Sequence, residues 1–406
     1  MQELEVFNFD FLRNICAAST AKIVLLILDG LGGLPREEGG KTELETAFTP
    51  NLDALAAKGM VGLIDPVGPG ITPGSGPAHL ALFGYDPVRY QIGRGVLEAL
   101  GIGFDLKDRD VAARANFATV DAQGLVSDRR AGRLATEKCL ELCGLLRRIK
   151  LDDVELFVEP VKEHRFVVVF RGPDLSDHLT ESDPQKIGLP PGEVRATRPK
   201  SARTARIVNE FVRQAHEILA NHHPANAVLL RGFAQHPKLP TIPEIYGLRA
   251  AAIAVYPMYR GLAKLAGMSI LTTGTTVADE FATLAEQYTS YDYFFIHVKG
   301  TDTAGEDGDF ARKVRVIEEV DAELPTLLQL NPEVVVVTGD HSTPALLRSH
   351  SWHPVPFLLY SRWCRADAAR EFGETACASG SLGTFPAVNI MGLALANALR
   401  LTKFGA

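Results

Sequence analysis

The chain has 406 residues, a formal net charge of −7, and 46% hydrophobic against 22% charged residues. At roughly 150 residues per domain this is material for two or three folded domains, and it excludes a disordered, collagen-like or low-complexity chain. The acidic balance argues against nucleic acid as a partner, and no apolar run approaches the ~20 residues of a membrane span, so neither partner is expected.

Residues 1–20 read as an extension with a short helix that docks on the body. Their acidic start is the wrong shape for a secretory signal, which leaves the cytoplasm as the expected compartment. Lys22 to Leu28 is apolar without alternation, as in a strand buried on both faces of a parallel sheet, and it ends at Asp29-Gly30. Pro50 to Gly59 predicts a helix with Thr49 as N-cap and Pro50 at the first helical position. Residues 65–76 are a Gly- and Pro-rich loop, followed by a helix that carries His79.

From about 105 to 237 the pattern changes. Strands are expected at Ala113–Val120, Leu156–Phe170 and Ala227–Leu230. Helices are expected at Cys139–Ile149 and Ala205–Ala220. An Arg- and Pro-rich stretch fills 184–204. The cysteines Cys16, Cys139, Cys143, Cys364 and Cys377 are odd in number and scattered, so they are read as thiols rather than as a disulfide framework. After this block the first style returns, with short buried strands at Ala250–Val255, Met268–Leu271, Tyr293–Val298, Val334–Thr338 and Pro356–Tyr360. A last helix covers Val388–Leu399. Strand, loop and helix in succession predict α/β with a mainly parallel sheet, interrupted by an inserted domain.

Ligands of open parallel sheets bind beyond the carboxyl ends of the strands. Asp29, Asp302 with Glu306, Asp340-His341 and His350 all fall at or near such ends. A lone Asp there is usually a cap or turn residue. Several Asp, Glu and His donors on one edge suit divalent metals, and there are enough of them for two ions that clamp a phosphoryl transfer. Ser75 sits at a loop-to-helix junction in Pro73-Gly74-Ser75-Gly76-Pro77, where free backbone N–H groups favour an anion. Metal coordination would make its hydroxyl a nucleophile. The prolines at 73 and 77 exclude the G-x-S-x-G elbow of α/β-hydrolases. The residues alone therefore point to a two-metal enzyme acting on a phosphate or sulfate ester.

Several segments resemble the alkaline phosphatase superfamily, and within it the archaeal-type 2,3-bisphosphoglycerate-independent phosphoglycerate mutases. They are Leu26-Ile27-Leu28-Asp29-Gly30, Thr72-Pro73-Gly74-Ser75-Gly76-Pro77-Ala78-His79, and Asn116 to Val120. Further on come Asp128-Arg129-Arg130-Ala131-Gly132-Arg133, Leu230-Arg231-Gly232 and His297-Val298-Lys299-Gly300-Thr301-Asp302. The last are Gly339-Asp340-His341-Ser342 and Lys403 to Ala406. The resemblance implies an alkaline-phosphatase-like, mainly parallel sheet sandwiched by helices, with an inserted α+β cap domain. The expected boundaries are 1–108 and 238–406 for the metal-binding core and 109–237 for the cap.

It also implies that Asp29, Ser75, Asp340 and His341 hold one ion, with Ser75 the nucleophile. Asp302, position 306 and His350 would hold the other. The family has His at 306 where this chain has Glu306, a competent ligand that favours a harder metal; His353 is the alternative donor. Asp128, Arg129, Arg133 and Arg231 resemble substrate-binding positions, since an Arg fork suits carboxylate and phosphate. Arg260 is a further candidate and Lys264 a weaker one. The implied cofactors are two divalent metals, Mn2+ before Zn2+, Mg2+ or Co2+, with no 2,3-bisphosphoglycerate. The implied reaction interconverts 3- and 2-phosphoglycerate through a phosphoserine, the glycerate staying under the cap. Another phosphomutase, a phosphatase, a phosphonopyruvate decarboxylase or a non-catalytic relative are the alternatives, and the oligomeric state is open.

Overall fold

The unalternating apolar runs become the interior of one sheet, because only a strand covered on both faces can bury every side chain. The computed structural model describes residues 9–405. Residues 1–8 of the expected extension and Ala406 lie outside the described residues. The chain divides into two compact units, one ending at Gln91 and resuming at Leu239, the other spanning Ile92–Lys238.

In the first unit eight strands run in the order Thr384–Pro386, Met60–Asp65, Val355–Ser361, Val334–Thr338, Ile23–Leu28, Tyr293–Val298, Ala250–Ala254, Ser269–Ile270. Only Val355–Ser361 runs against the others. The two strands beside Ile23–Leu28 are both parallel to it, with Leu28 level with Val298 and Ile27 level with Thr338. The segments that follow these three strands therefore leave the sheet at one edge. Helices pack against the sheet, as the mainly parallel α/β expectation requires. Residues 9–17 dock as foreseen. The Phe9–Ile15 helix is followed by Ala17 N–H donating to Arg400 O at 2.8 Å, and Thr402 N–H donates to Ile15 O at 2.7 Å.

Met60–Asp65 and Phe310–Gln329 are among the elements with no counterpart in the expected ones. Met60–Asp65 carries Gly62 at mid-strand, where a Cβ would lie 2.6 Å from Gly383 O; the missing side chain lets the next segment approach. Phe310–Gln329 is the longest described helix, at 20 residues. Its buried positions include Lys313 and Asp321 alongside Phe310, Ile317, Val320, Leu324 and Leu327. Two charged residues thus interrupt the apolar stripe that would have announced it. Asp321 also explains a cap. Thr49 is the N-cap residue of Pro50–Ala56 but makes no side-chain bond. Instead Asp321 accepts from Leu52 N at 2.7 Å and from Asn51 N at 3.3 Å.

The second unit holds an antiparallel sheet ordered Val126–Asp128, Val111–Val120, Arg165–Arg171, Glu155–Lys162, with Ala227–Ala234 also paired to Val111–Val120. Helices Thr136–Leu146 and Ala202–Leu219 bury Cys139, Leu142, Cys143, Val208 and Phe211 in its core. All five cysteines are free thiols. The expected boundary at 108 differs from the observed one at Gln91, and helix Arg94–Gly101 is the reason. It packs on Val111–Val120 so closely that a Cβ at Gly95 would meet Ala112 O at 2.4 Å. No helix among the described residues is long and apolar enough to cross a membrane.

Candidate metal and phosphoryl-transfer site

Asp29 ends the central strand, and Gly30 turns the chain with φ +65, a conformation glycine adopts without strain. The tightness of the turn adds a second reason for glycine, because a Cβ there would meet Thr343 Oγ1 at 2.5 Å and Asp302 Oδ1 at 2.9 Å. Asp340-His341 leaves the neighbouring strand, Asp302 lies in the first turn of helix Gly300–Asp307, and Ser75 opens helix Ser75–Leu82. Asp29, Asp302, Asp340 and His341 have next to no solvent exposure.

These side chains converge in two groups that share His341: Asp29, Asp340 and His341, and Asp302, His341 and His350, with donor atoms within 4.8 Å of one another in each. Ser75 Oγ lies 3.3 Å from His341 Nε2. The structure thus brings together Asp29, Ser75, Asp302, Asp340, His341 and His350. It leaves Glu306 exposed and outside both groups, one helical turn beyond Asp302 at the solvent end of its helix. His353 also stands apart, with Nδ1 3.0 Å from Ser351 Oγ and its ring stacked on Trp352.

The hydrogen bonds set the imidazoles as ligands. Thr343 Oγ1–H donates to Asp302 Oδ1 at 2.6 Å, so its oxygen accepts from His341 Nδ1 at 2.9 Å. That leaves the Nε2 lone pair of His341 aimed at Asp29, Asp340 and Ser75, at 3.3, 3.2 and 3.3 Å. His350 is held in the same way. Its Nδ1–H donates to Pro73 O at 2.9 Å, and Nε2 is 3.6 Å from Asp302 Oδ1.

Sequence reasoning assigned no role to the residues behind these donors. His79, one helical turn after Ser75, lies 3.2 Å from Asp340 Oδ2, and His297 lies 3.2 Å from Asp29 Oδ2. Both are fully buried, and His297 stacks on Tyr259 at 3.6 Å between ring centroids. Lys299 Nζ reaches Asp29 Oδ2 at 3.0 Å and Asp302 Oδ2 at 2.5 Å, with Tyr259 Oη at 3.2 Å. Burial alone would raise the Asp29 carboxyl; Lys299 and His297 reverse the sign and hold it well below the usual carboxylate range. Burial pulls Lys299 down, and Asp29, Tyr259 and Asp302 outweigh it, so its ammonium persists well above the usual range. The signal that could have found these residues is local: His79 shares a helix face with Ser75, and His297 and Lys299 flank the end of a strand that neighbours Asp29.

The donor set fits divalent cations. Three carboxylates are buried together here, and Lys299 pairs with two of them, Asp29 and Asp302. Asp29 Oδ1 and Asp340 Oδ2 are buried without a hydrogen-bond partner. An uncompensated buried carboxylate oxygen is costly unless a cation meets it.

In the second unit the expected substrate residues are placed differently. Asp128 spends both oxygens on its own turn, accepting from Arg130 N at 2.8 Å and Gly132 N at 2.6 Å. Arg129 forks onto Asp183 at 2.9 and 2.7 Å. Arg231 Nε is 3.9 Å from Asp183 Oδ2 and is buried without a hydrogen-bond partner. Arg133 and Arg130 are exposed. In the first unit Arg260 is half-buried beside Tyr259, its Nε likewise without a partner, and Lys264 is exposed.

Known proteins are similar to the chain over nearly its whole length. A protein of Thermotoga sp. strain RQ2 named as a probable 2,3-bisphosphoglycerate-independent phosphoglycerate mutase is 54% identical over 399 residues, 98% of this chain and 99% of its relative. The chain belongs to the 2,3-bisphosphoglycerate-independent phosphoglycerate mutase family. A family model described by that activity matches residues 56–226. A mutase-named relative from Aquifex aeolicus is 49% identical over 98% of this chain and its own full length. Among solved structures, the PH0037 protein of Pyrococcus horikoshii superposes with a TM-score of 0.82 at 32% identity, covering 95% of this chain and 99% of that one. The cofactor-independent phosphoglycerate mutase of Thermoplasma acidophilum does so with a TM-score of 0.71 at 33% identity, covering 93% and 100%. Membership of the mutase family agrees with the resemblance drawn from the sequence segments.

Proposed function

We propose that the protein interconverts 3- and 2-phosphoglycerate without added 2,3-bisphosphoglycerate, using Ser75 as nucleophile in a two-metal centre. The observation that carries this reading is Ser75 Oγ at the opening of a helix, 3.3 Å from the free nitrogen of His341 and beside partnerless buried carboxylate oxygens. In this reading Asp29, Ser75, Asp340 and His341 hold one ion. Asp302 and His350 hold the other, completed by Glu306 or, alternatively, His353; Mn2+ is the first candidate, before Zn2+, Mg2+ or Co2+. Bound there, divalent ions would lower the pKa of the serine hydroxyl and neutralise charge on the transferring phosphoryl group.

The residues of the chain do the rest. Ser75 Oγ gives up its proton and bonds to phosphorus as the bond from phosphorus to the substrate's 3-oxygen breaks, and that oxygen takes up a proton in its place and leaves as a hydroxyl. The 2-hydroxyl then attacks the phosphoserine and takes the phosphoryl group, and the proton it gives up replaces the one Ser75 lost, restoring the serine hydroxyl. N–H groups of the first turn of Ser75–Leu82, whose N-cap Gly74 offers no competing side chain, suit the phosphoryl oxygens. Lys299 adds a fixed positive charge. His79 and His297 pack behind the two aspartates at 3.2 Å. Arg231, with Arg129, Arg133, Asp128 and Arg260, is the candidate set for the substrate's carboxylate and phosphate, and Arg231 Nε has a proton that no hydrogen bond takes.

The test is to add Mn2+ and 3-phosphoglycerate to the purified protein and to follow 2-phosphoglycerate and free phosphate separately. The expected result is 2-phosphoglycerate with little phosphate. Phosphate alone would make the protein a phosphatase, and no turnover with no metal uptake would make it a non-catalytic relative.

A further inference from the structure

Lys313 lies on the core-facing stripe of Phe310–Gln329 with no solvent exposure. A buried ammonium must have its protons accepted and its charge offset. All three protons go to backbone carbonyls: Gly30 O at 2.8 Å, Gly32 O at 3.0 Å and Thr343 O at 2.9 Å. The first two belong to the loop that follows Asp29, and the third to the loop that follows Asp340-His341. Glu43 makes the complementary tie. Also buried, its carboxylate accepts from Leu34 N at 3.1 Å and from Ala345 N at 2.7 Å, joining the same two loops through their N–H groups. The fit is close, since a Cβ on Gly33 would lie 1.9 Å from Glu43 Oε2. Between the two ties, Thr343 N–H donates directly to Gly30 O and Gly32 O at 3.2 and 3.0 Å.

A joint of this kind has a physical purpose. Asp29 and Asp340 are like charges, both fully buried, in one group with His341. Before a cation arrives they repel, and loops held only by strand ends would part. A site kept at its working spacing does not have to be reassembled by the ion, and more of the ion's binding energy appears as affinity.

We propose that Lys313 and Glu43 are positioning residues of the metal centre, a cation and an anion that clamp the Asp29 loop to the Asp340–His341 loop from behind. Neither side chain touches a donor atom of the ion or the substrate. This rests on the two-metal reading above.

The experiment is equilibrium binding of Mn2+ to the metal-stripped full-length protein, read from the electron paramagnetic resonance signal of free Mn2+. It is paired with the thermal unfolding of each stripped protein and the Mn2+ concentration that gives half-maximal turnover. Lys313→Met is expected to weaken Mn2+ binding by ~10-fold or more, the range seen when supports of metal ligands are removed, and to raise the half-maximal Mn2+ equally. Excess Mn2+ should restore most of kcat, with KM for 3-phosphoglycerate unchanged. A stripped Lys313→Met protein that melts earlier yet binds Mn2+ as the wild type does would show a merely structural lysine and overturn the proposal. If Lys313→Met does not fold, Glu43→Gln carries the same test, because its one amide oxygen can accept from Leu34 N or from Ala345 N but not from both; unchanged Mn2+ affinity there would overturn the clamp. Wild-type protein that takes up no Mn2+ would contradict the metal centre itself, and the clamp with it.

Discussion

In the first unit, charge is concentrated in carboxylates at the ends of parallel strands, with Lys299 paired to two of them and histidines behind them. The second unit is built the other way round. Arg94, Arg114, Arg165 and Arg231 all act on the buried Glu98, while Arg129 forks onto Asp183. Burial nevertheless raises the Glu98 carboxyl, and burial with crowding by Arg231, Arg165 and Arg94 pulls the Arg114 guanidinium down to about 10 in spite of Glu98. One region is short of positive charge and the other of negative charge.

The sharpest way to break this contrast is at the nucleophile. Ser75→Ala should cost at least ~10³-fold in kcat, the scale of removing a catalytic nucleophile, with little change in thermal stability. Near-wild-type turnover would remove Ser75 from the chemistry. Stripping the metals with a chelator should abolish activity in a way that added Mn2+ reverses; a stripped protein that still turns over would make the carboxylate cluster structural. In the second unit the effect should be smaller and fall on binding. Arg231→Lys keeps the charge but loses the planar fork, and about 2 kcal/mol of charge-assisted hydrogen bonding corresponds to a rise of ~30-fold in KM for 3-phosphoglycerate with kcat nearly kept. A loss confined to kcat would place Arg231 at the transferring phosphoryl group instead.

Smaller still are two changes at the margins. Glu306→Gln should lower the Mn2+ bound at saturation or weaken the second ion, whereas His353→Gln should not; the reverse result would hand that role to His353. Glu280 probes stability alone. Burial, with Asp279 beside it, pushes its carboxyl up from 4.5 to about 8, so the folded chain keeps a proton that the unfolded chain releases. Its contribution to stability is full below pH ~4.5 and is lost as the pH rises to ~8. Tm should fall across that window, and Glu280→Gln should flatten the fall without altering turnover.

The same contrast explains what could be read in advance. Asp29, Asp302 and Asp340-His341 are legible because a parallel sheet sends the ends of its strands to one edge, and those strands are unbroken apolar runs. Ser75 is legible from the glycines and prolines around it. Lys313 was hidden because it lies on the buried stripe of its own helix, where a charged residue argues against the helix altogether. Asp183 was hidden because its partner Arg129 is 54 positions away. Glu98 was hidden because its helix, Arg94–Gly101, has no counterpart among the expected elements. A glycine that packs on a strand, as Gly95 does, carries no periodic signal. Glu306 is the opposite case: its spacing after Asp302 is the one a ligand pair on a helix requires, yet its side chain stands in solvent.

The account stands on a phosphoryl group that passes through Ser75. The most direct measurement is to quench the Mn2+-loaded protein with 3-phosphoglycerate during turnover and to map added phosphoryl mass by peptide mass spectrometry. The account predicts one phosphoryl group on Ser75, present only with substrate and absent from Ser75→Ala. A protein that interconverts the two phosphoglycerates with Ser75 unmodified, or with the phosphoryl group on another residue, would contradict it.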